Sequence, residues 1–172
     1  MRKWSVVVTV LCVCTAFAVV ASAQDKTLCD RLGGPPAISA VVESFADKVL
    51  KDERINKKFA KSNANRLVVN LKGQFGQAAK CPGIKYKGLS MKASHKNMAV
   101  TEGEFNALAE DLVKTLDEFK VPEKEKSELL AAIGPMKKDI VEKPGDMTTG
   151  ADLPATFKPA PPLKTKASTK QM

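Results

Sequence analysis

Apolar positions recur at helical spacing over most of the chain between Pro35 and Val141. Gly33-Gly34-Pro35-Pro36 interrupts the chain, and its prolines suit the first turn of a helix reaching about Lys51, with Ile38, Val41, Val42, Phe45, Val49 and Leu50 on its inner face. A short turn over residues 52–59 follows. Ser62-Asn63-Ala64-Asn65 offers N-caps for a second helix to about Lys80, with Leu67, Val68, Leu71, Phe75, Ala78 and Ala79 inside, and Cys81-Pro82-Gly83 stops it. A glycine-punctuated loop around Tyr86 and Gly88 then enters a short helix in which Met91, Ser94, His95 and Met98 share one face.

The second half is more regular. Thr101-Glu102-Gly103-Glu104 is a capping box, opening a helix whose apolar residues fall at Phe105, Leu108, Leu112, Val113, Leu116 and Phe119. Val121-Pro122-Glu123 starts a last helix with Leu129, Leu130, Ile133, Met136, Ile140 and Val141 inside, bent near Gly134-Pro135. No stretch alternates with period two for long enough to make a strand. The pattern predicts an all-α domain, with two shorter N-terminal helices, two long paired C-terminal helices and a histidine segment between the pairs.

Composition sets the domain limits. Residues 1–23 open with Arg2 and Lys3, continue as an apolar run from Val6 to Val20, and end on Ala21-Ser22-Ala23, the three parts of a secretory signal peptide. Kept uncleaved, the run would be near the ~20 residues that span a bilayer; the Ala-Ser-Ala site favours removal and an exported, periplasmic or secreted chain with no stable membrane insertion. Residues 143–172 hold five prolines and five lysines, with only Leu153, Phe157 and Leu163 as large apolar side chains. So little apolar surface does not offset the entropy of ordering, which predicts a disordered basic tail. Residues 24–142 suit one domain with one core.

Charge and cysteine change the picture little. The net charge of +9 falls to +7 without Arg2 and Lys3, and the tail carries +3 of that. Arginines are few (Arg31, Arg54 and Arg66 after the leader) and not interleaved with aromatic residues, which argues against nucleic acid as a partner. Cys29 and Cys81 are too far apart for a Cys-x-x-Cys site, and no Cys-x-x-Cys-His motif for covalent haem attachment exists. In an exported protein the pair permits a disulfide, in a reducing compartment two thiols; the sequence leaves both open.

His95 is the only histidine. A lone histidine on a helix face is more often a core or surface residue than a ligand, but any imidazole-held metal or haem in this chain has one candidate. The surrounding motifs, Leu28-Cys29-Asp30-Arg31-Leu32-Gly33-Gly34, Phe45, Phe59, Tyr86-Lys87-Gly88, Met91-Lys92 running up to His95, Val100-Thr101 and Phe105, resemble the group I truncated globins, haem proteins with a two-over-two helical sandwich. The resemblance covers Leu28 to Val141. It implies a globin-like fold, haem b as cofactor, and His95 as the proximal iron ligand, oriented by a hydroxyl or carbonyl such as that of Ser94 or Met91. Helical periodicity offers Phe45, Phe59, Leu67, Leu71, Phe75, Met91, Phe105, Leu108, Leu129 and Ile133 as pocket lining, with Tyr86, Arg66, Lys87 and Lys92 as candidates for the propionates.

On the distal side the chain departs from that family. Many members place a tyrosine after the phenylalanine of the second helix and a glutamine on the distal helix; here Ala46, Leu67 and Leu71 occupy those places, and Asn70 and Gln74 should face solvent or the haem edge. Oxygen held without a donor forgoes a charge-assisted hydrogen bond worth roughly 1.5–3 kcal/mol. The resemblance therefore points to a globin binding small diatomic ligands (oxygen, carbon monoxide, nitric oxide), with a reductase or other electron donor as a further partner. The alternatives are a haem enzyme of peroxidase-like or nitric oxide dioxygenase type, disfavoured by the missing distal acid or base, and a helical interaction module without haem.

Overall fold

A computed structural model describes residues 26–148 and 150–159; the leader and the end of the tail lie outside the described residues. The elements are helical: α1 (Leu28–Arg31), α2 (Gly34–Lys51), a 3-10 turn (Asn56–Phe59), α3 (Ala64–Ala78), α4 (Met91–His95), α5 (Glu102–Glu118), α6 (Glu123–Ile133), a second 3-10 turn (Gly134–Met136) and α7 (Lys137–Ile140). Among the described residues the only strand-like pairing is one parallel bridge between Thr101 and Lys143.

Local chemistry accounts for the boundaries. Gly33 and Gly34 both have left-handed backbone, at φ +94° and +79°, which lets the chain turn sharply between α1 and α2 with prolines in the first turn of the latter. Asn63 caps α3 by accepting from Arg66 N–H, and Thr101 and Glu104 form the capping box that opens α5. Ser90 caps α4 in the same way.

The core is the sandwich interior. Ile38, Val42, Phe45 and Val49 from α2 meet Phe75 from α3, Ala107, Leu112 and Leu116 from α5 and Leu129 from α6. Phe45 and Phe75 pack with tilted rings 5.8 Å apart. α2 is the central element, packed on both α3 and α5. Cys29 and Cys81 are joined in a disulfide, both buried, which ties α1 to the end of α3 together with the Cys29 N–H to Ala79 carbonyl bond of 2.8 Å.

Two expectations are corrected. The longest helix is the N-terminal α2, of 18 residues, while the last helix breaks after 11 residues at Gly134-Pro135, so the C-terminal pair is not the longer one. A proline inside a helix removes one hydrogen bond and clashes with the preceding turn, and here the result is a full 3-10 interruption rather than a bend. Second, the chain stays packed well past residue 142. Leu153 is buried against Met98 and Val100, with Ile140 and Phe157 packed on the same cluster. Two well-placed apolar side chains anchor a segment whose average composition is polar.

One cluster of charged side chains is partly buried. Asp52, Arg54 and Asp111 meet where α2 ends against α5: the Arg54 guanidinium holds Asp52 below the usual carboxylate range, while burial first, and then the charge of Asp52, pushes Asp111 above it. Asp111 Oδ2 is buried without a partner.

Two predictions follow from these contacts. The 52-residue separation closed by Cys29 and Cys81 constrains the unfolded chain, so Cys81→Ser should lower the urea-unfolding free energy by roughly 2–4 kcal/mol. A raised Asp111 pKa means that its contribution to stability is full below the unfolded carboxylate pKa and is lost as pH rises through the folded value. Asp111→Asn removes that loss. Melting temperatures taken between about pH 4 and about pH 7 should show the variant gaining on the parent as pH rises; a variant that falls further behind instead would mean that pairing with Arg54 and Lys114 outweighs burial.

Candidate functional site

A cleft of about 420 Å³ opens between α3, α4, α5 and the break after α6, within the ~300–1,000 Å³ of sites that enclose small molecules and cofactors. Its walls are mainly apolar. Phe45 comes from α2, Phe59 from the first 3-10 turn, Leu67, Leu71 and Phe75 from α3, Phe105 and Leu108 from α5, and Ile133 from the end of α6. Tyr86, Met91 and His95 complete the set that the sequence suggests. Leu129 is the exception: it borders a separate void of about 20 Å³ with Leu32, Ile38 and Val41. α6 lies against α1 and α3, and only its C-terminal end reaches the cleft.

His95 ends α4, and Met91, Ser94 and Met98 line the cleft with it. Its Nδ1 is 2.8 Å from the Met91 carbonyl. A carbonyl can only accept, so Nδ1 carries the proton, and in the neutral ring Nε2 keeps its lone pair. Burial pushes the imidazole pKa below its ordinary value, against the opposing effects of the Met91 hydrogen bond and the Glu142 charge, which favours that neutral form. Of the two orienting groups suggested by sequence, the Met91 carbonyl serves; the Ser94 hydroxyl donates instead to Ser90 O at 3.0 Å.

The turn after the histidine is clamped from two sides. Asn97 and Ala99 have left-handed backbone, at φ +65° and +53°, which is costly for residues other than glycine. Glu142 compensates by accepting from both their N–H groups at 2.7 Å. From the other side Lys58, 5% exposed, donates to Met98 O at 3.2 Å and lies 3.4 Å from Glu104 Oε1. Glu104 also accepts from Thr101 N–H at 3.0 Å. Lys58 and Glu104 both line the cleft; sequence pattern marks Glu104 as part of a capping box but not as cleft wall, and Lys58, beside Lys57, reads as surface.

The polar rim differs in part from expectation. Arg66 and Tyr86 line the cleft, whereas Lys87 and Lys92 do not. Arg66 Nη1 is buried without a hydrogen-bond partner, and Lys61, Ser62 and Asn63 lie on the same rim. A buried unpaired guanidinium nitrogen is costly, and a carboxylate at this rim would satisfy it. Tyr86 is held by its hydroxyl donating to Leu89 O at 2.7 Å. Asn70 and Gln74 also face the cleft rather than solvent, and the Gln74 amide donates to Met91 Sδ at 3.0 Å. Ala46 is buried but does not form part of the wall, since its side chain ends at Cβ.

An apolar slot, one neutral imidazole fixed in tautomer, and an unpaired cation at the rim together fit an iron porphyrin, whose faces are apolar and whose edge bears two carboxylates. The residues a haem would need are thus present, with His95 for the iron and Arg66 for a propionate.

Comparison with known proteins agrees with this geometry. A family model for bacterial-like globins matches residues 27–142. A group 1 truncated haemoglobin of Mycolicibacterium paratuberculosis is 36% identical over 121 residues, covering 69% of this chain and 86% of the relative. One from a Synechocystis species is 34% identical over 124 residues, covering 69% of this chain and 99% of the relative. Among solved structures, the Fe(III) truncated haemoglobin of Tetrahymena pyriformis superposes with a TM-score of 0.65 at 30% identity, covering 69% of this chain and all of that one. The 2/2 haemoglobin of a Synechococcus species, solved in the cyanomet state with covalently attached haem, gives 0.64 at 30% identity, with the same coverage. The chain therefore belongs to the bacterial-like globins, as a haem-binding truncated haemoglobin with the globin fold.

Proposed function

We propose that this truncated haemoglobin holds haem b non-covalently, with His95 as the proximal ligand, and binds oxygen, carbon monoxide or nitric oxide in an exported location. The observation that carries the reading is the Nδ1 bond from His95 to the Met91 carbonyl, which leaves Nε2 as the one imidazole lone pair on the wall of an apolar cleft. When bound, the haem supplies an iron centre able to take a neutral diatomic ligand. The chain's own part is to fix that imidazole, to exclude water with Phe45, Phe59, Leu67 and Leu71, and to offer Arg66 to a carboxylate. Export rests on the residues 1–23 pattern alone.

Non-covalent attachment separates this chain from the Synechococcus relative, whose haem is covalently attached. With His95 spent on iron, no second histidine is left to form a link or a sixth ligand. Acid-acetone should extract the haem completely. His95→Ala should lose the haem or its ferrous iron–histidine vibration, and an unchanged ferrous spectrum in that variant would reject the assignment.

The α3 wall of the cleft is apolar at Leu67 and Leu71, with the Gln74 amide engaged by Met91. Oxygen depends on a distal donor far more than carbon monoxide does, so this pocket should release oxygen quickly. Ala46 is off the wall, which makes Leu71 the better place to add a donor. Leu71→Gln should slow oxygen release about tenfold, equivalent to roughly 1.4 kcal/mol, and change carbon monoxide release much less. Flash photolysis and stopped-flow mixing measure both; slow oxygen release in the unmodified protein would show that Gln74 or Asn70 already reaches the ligand.

A further inference from the structure

The globin match ends at residue 142, yet the chain continues across the site. Residues 143–147 follow α7 and run back along the start of α5. Glu142 and Lys143 N–H both donate to Val100 O, at 2.9 and 3.0 Å, and Lys143 pairs with Thr101 in the parallel bridge. Gly103 N–H donates to Gly145 O at 3.3 Å, and the Thr101 hydroxyl donates to Met147 O at 2.7 Å. The approach is so close that a Cβ at Gly103 would fall 2.1 Å from the Asp146 carbonyl oxygen, so only glycine admits the segment there. Farther on, Leu153 is buried against Met98 and Val100, and Phe157, turned by its N–H bond to Pro154 O at 2.9 Å, packs on the same cluster. Phe157 and Pro159 then form part of the wall of the cleft that holds His95.

We propose that residues 143–159 are a strap that completes the haem site on the histidine side, with Phe157 a cofactor-retaining residue supplied from outside the shared globin domain. The inference rests on the haem reading of the cleft. The solved relatives align along their full length while covering 69% of this chain, so the matched globin domain forms a site without this wall. An apolar cofactor leaves such a site when water enters along its edge. Phe157 lies where it blocks one edge, next to Met98, three residues from the histidine. The strap is fastened to Thr101 and Gly103, not to the cofactor, so it closes the site without supplying a ligand.

The test uses full-length ferric holoprotein and hemin as the probe. Hemin transfer to excess apomyoglobin should be about tenfold faster from Phe157→Ala, a change of roughly 1.4 kcal/mol, and faster also from Gly103→Ala, which displaces the strap without touching the cleft wall. Phe119→Ala, exposed and off the cleft, should release hemin at the parental rate. Hydrogen exchange of the peptide spanning residues 150–159 should slow when hemin is added to the parent, and much less in Phe157→Ala. Hemin loss unchanged in both strap variants, with exchange indifferent to hemin, overturns the strap while the haem reading stands. A chain that develops no Soret band with hemin overturns both.

Discussion

The geometry of the site hangs on the clamp around the turn that follows the histidine. Two left-handed positions separated only by Met98 would not persist in a free loop. Glu142 satisfies the amides of Asn97 and Ala99, and Lys58 satisfies the carbonyl of Met98. The Lys58–Glu104 pair is buried, at 5% and 3% exposure, so its own electrostatic gain is offset by desolvation, and its value lies in what it fixes. Removing either partner alone would strand a buried charge. Through this clamp the first 3-10 turn, α4, the N-terminus of α5 and the end of α7 are held to one another, and the orientation of His95 is set by all of them.

That clamp also explains why the capping box at Thr101 is so central. Its threonine hydroxyl accepts from Glu104 N–H while donating to Met147 O, and its glutamate serves both the N-cap amide and Lys58. A motif that in most helices satisfies two orphan amides here joins a helix start to the cleft and to the chain beyond α7. The cost of that economy is that few substitutions at Thr101 or Glu104 can be local.

What the sequence disclosed follows from the kind of signal each feature carries. α2, α3 and α5 were readable because a buried face repeats every three to four residues, and prolines in the first turn mark the start of α2 as Asn63 and Thr101 mark those of α3 and α5. Most of the cleft wall follows from the same periodicity, because the inner faces that make the core also border the cavity. Leu129 shows the limit: it shares a face with Ile133, but one turn of helix separates core from cleft. Lys58 gives no local sign of burial, since its partners lie about 40 residues away or more. The strap was hidden for the opposite reason. Leu153 and Phe157 are two apolar residues diluted among prolines and lysines, and composition averaged over the segment misses side chains that dock singly.

The cleft has a thermodynamic consequence for the whole fold. Scaled by about 24 cal/mol per Å³, a dry cavity of about 420 Å³ would cost on the order of 10 kcal/mol, comparable to the ~5–15 kcal/mol that stabilises an entire domain. The polar rim at Arg66, Ser62 and Asn63 lets water lower that figure, but the apolar end near Phe45 and Phe75 gains nothing from water. An occupant that fills the apolar end therefore contributes to folding as well as to function, by mass action on the native state. The disulfide lies off the cleft, but Phe45, Phe75 and Leu112 belong to the core and to the cleft wall at once. The order of the core faces that border the cleft is therefore linked to what the cleft contains, while the Cys29–Cys81 tie between α1 and the end of α3 is covalent and holds whether the cleft is filled or not.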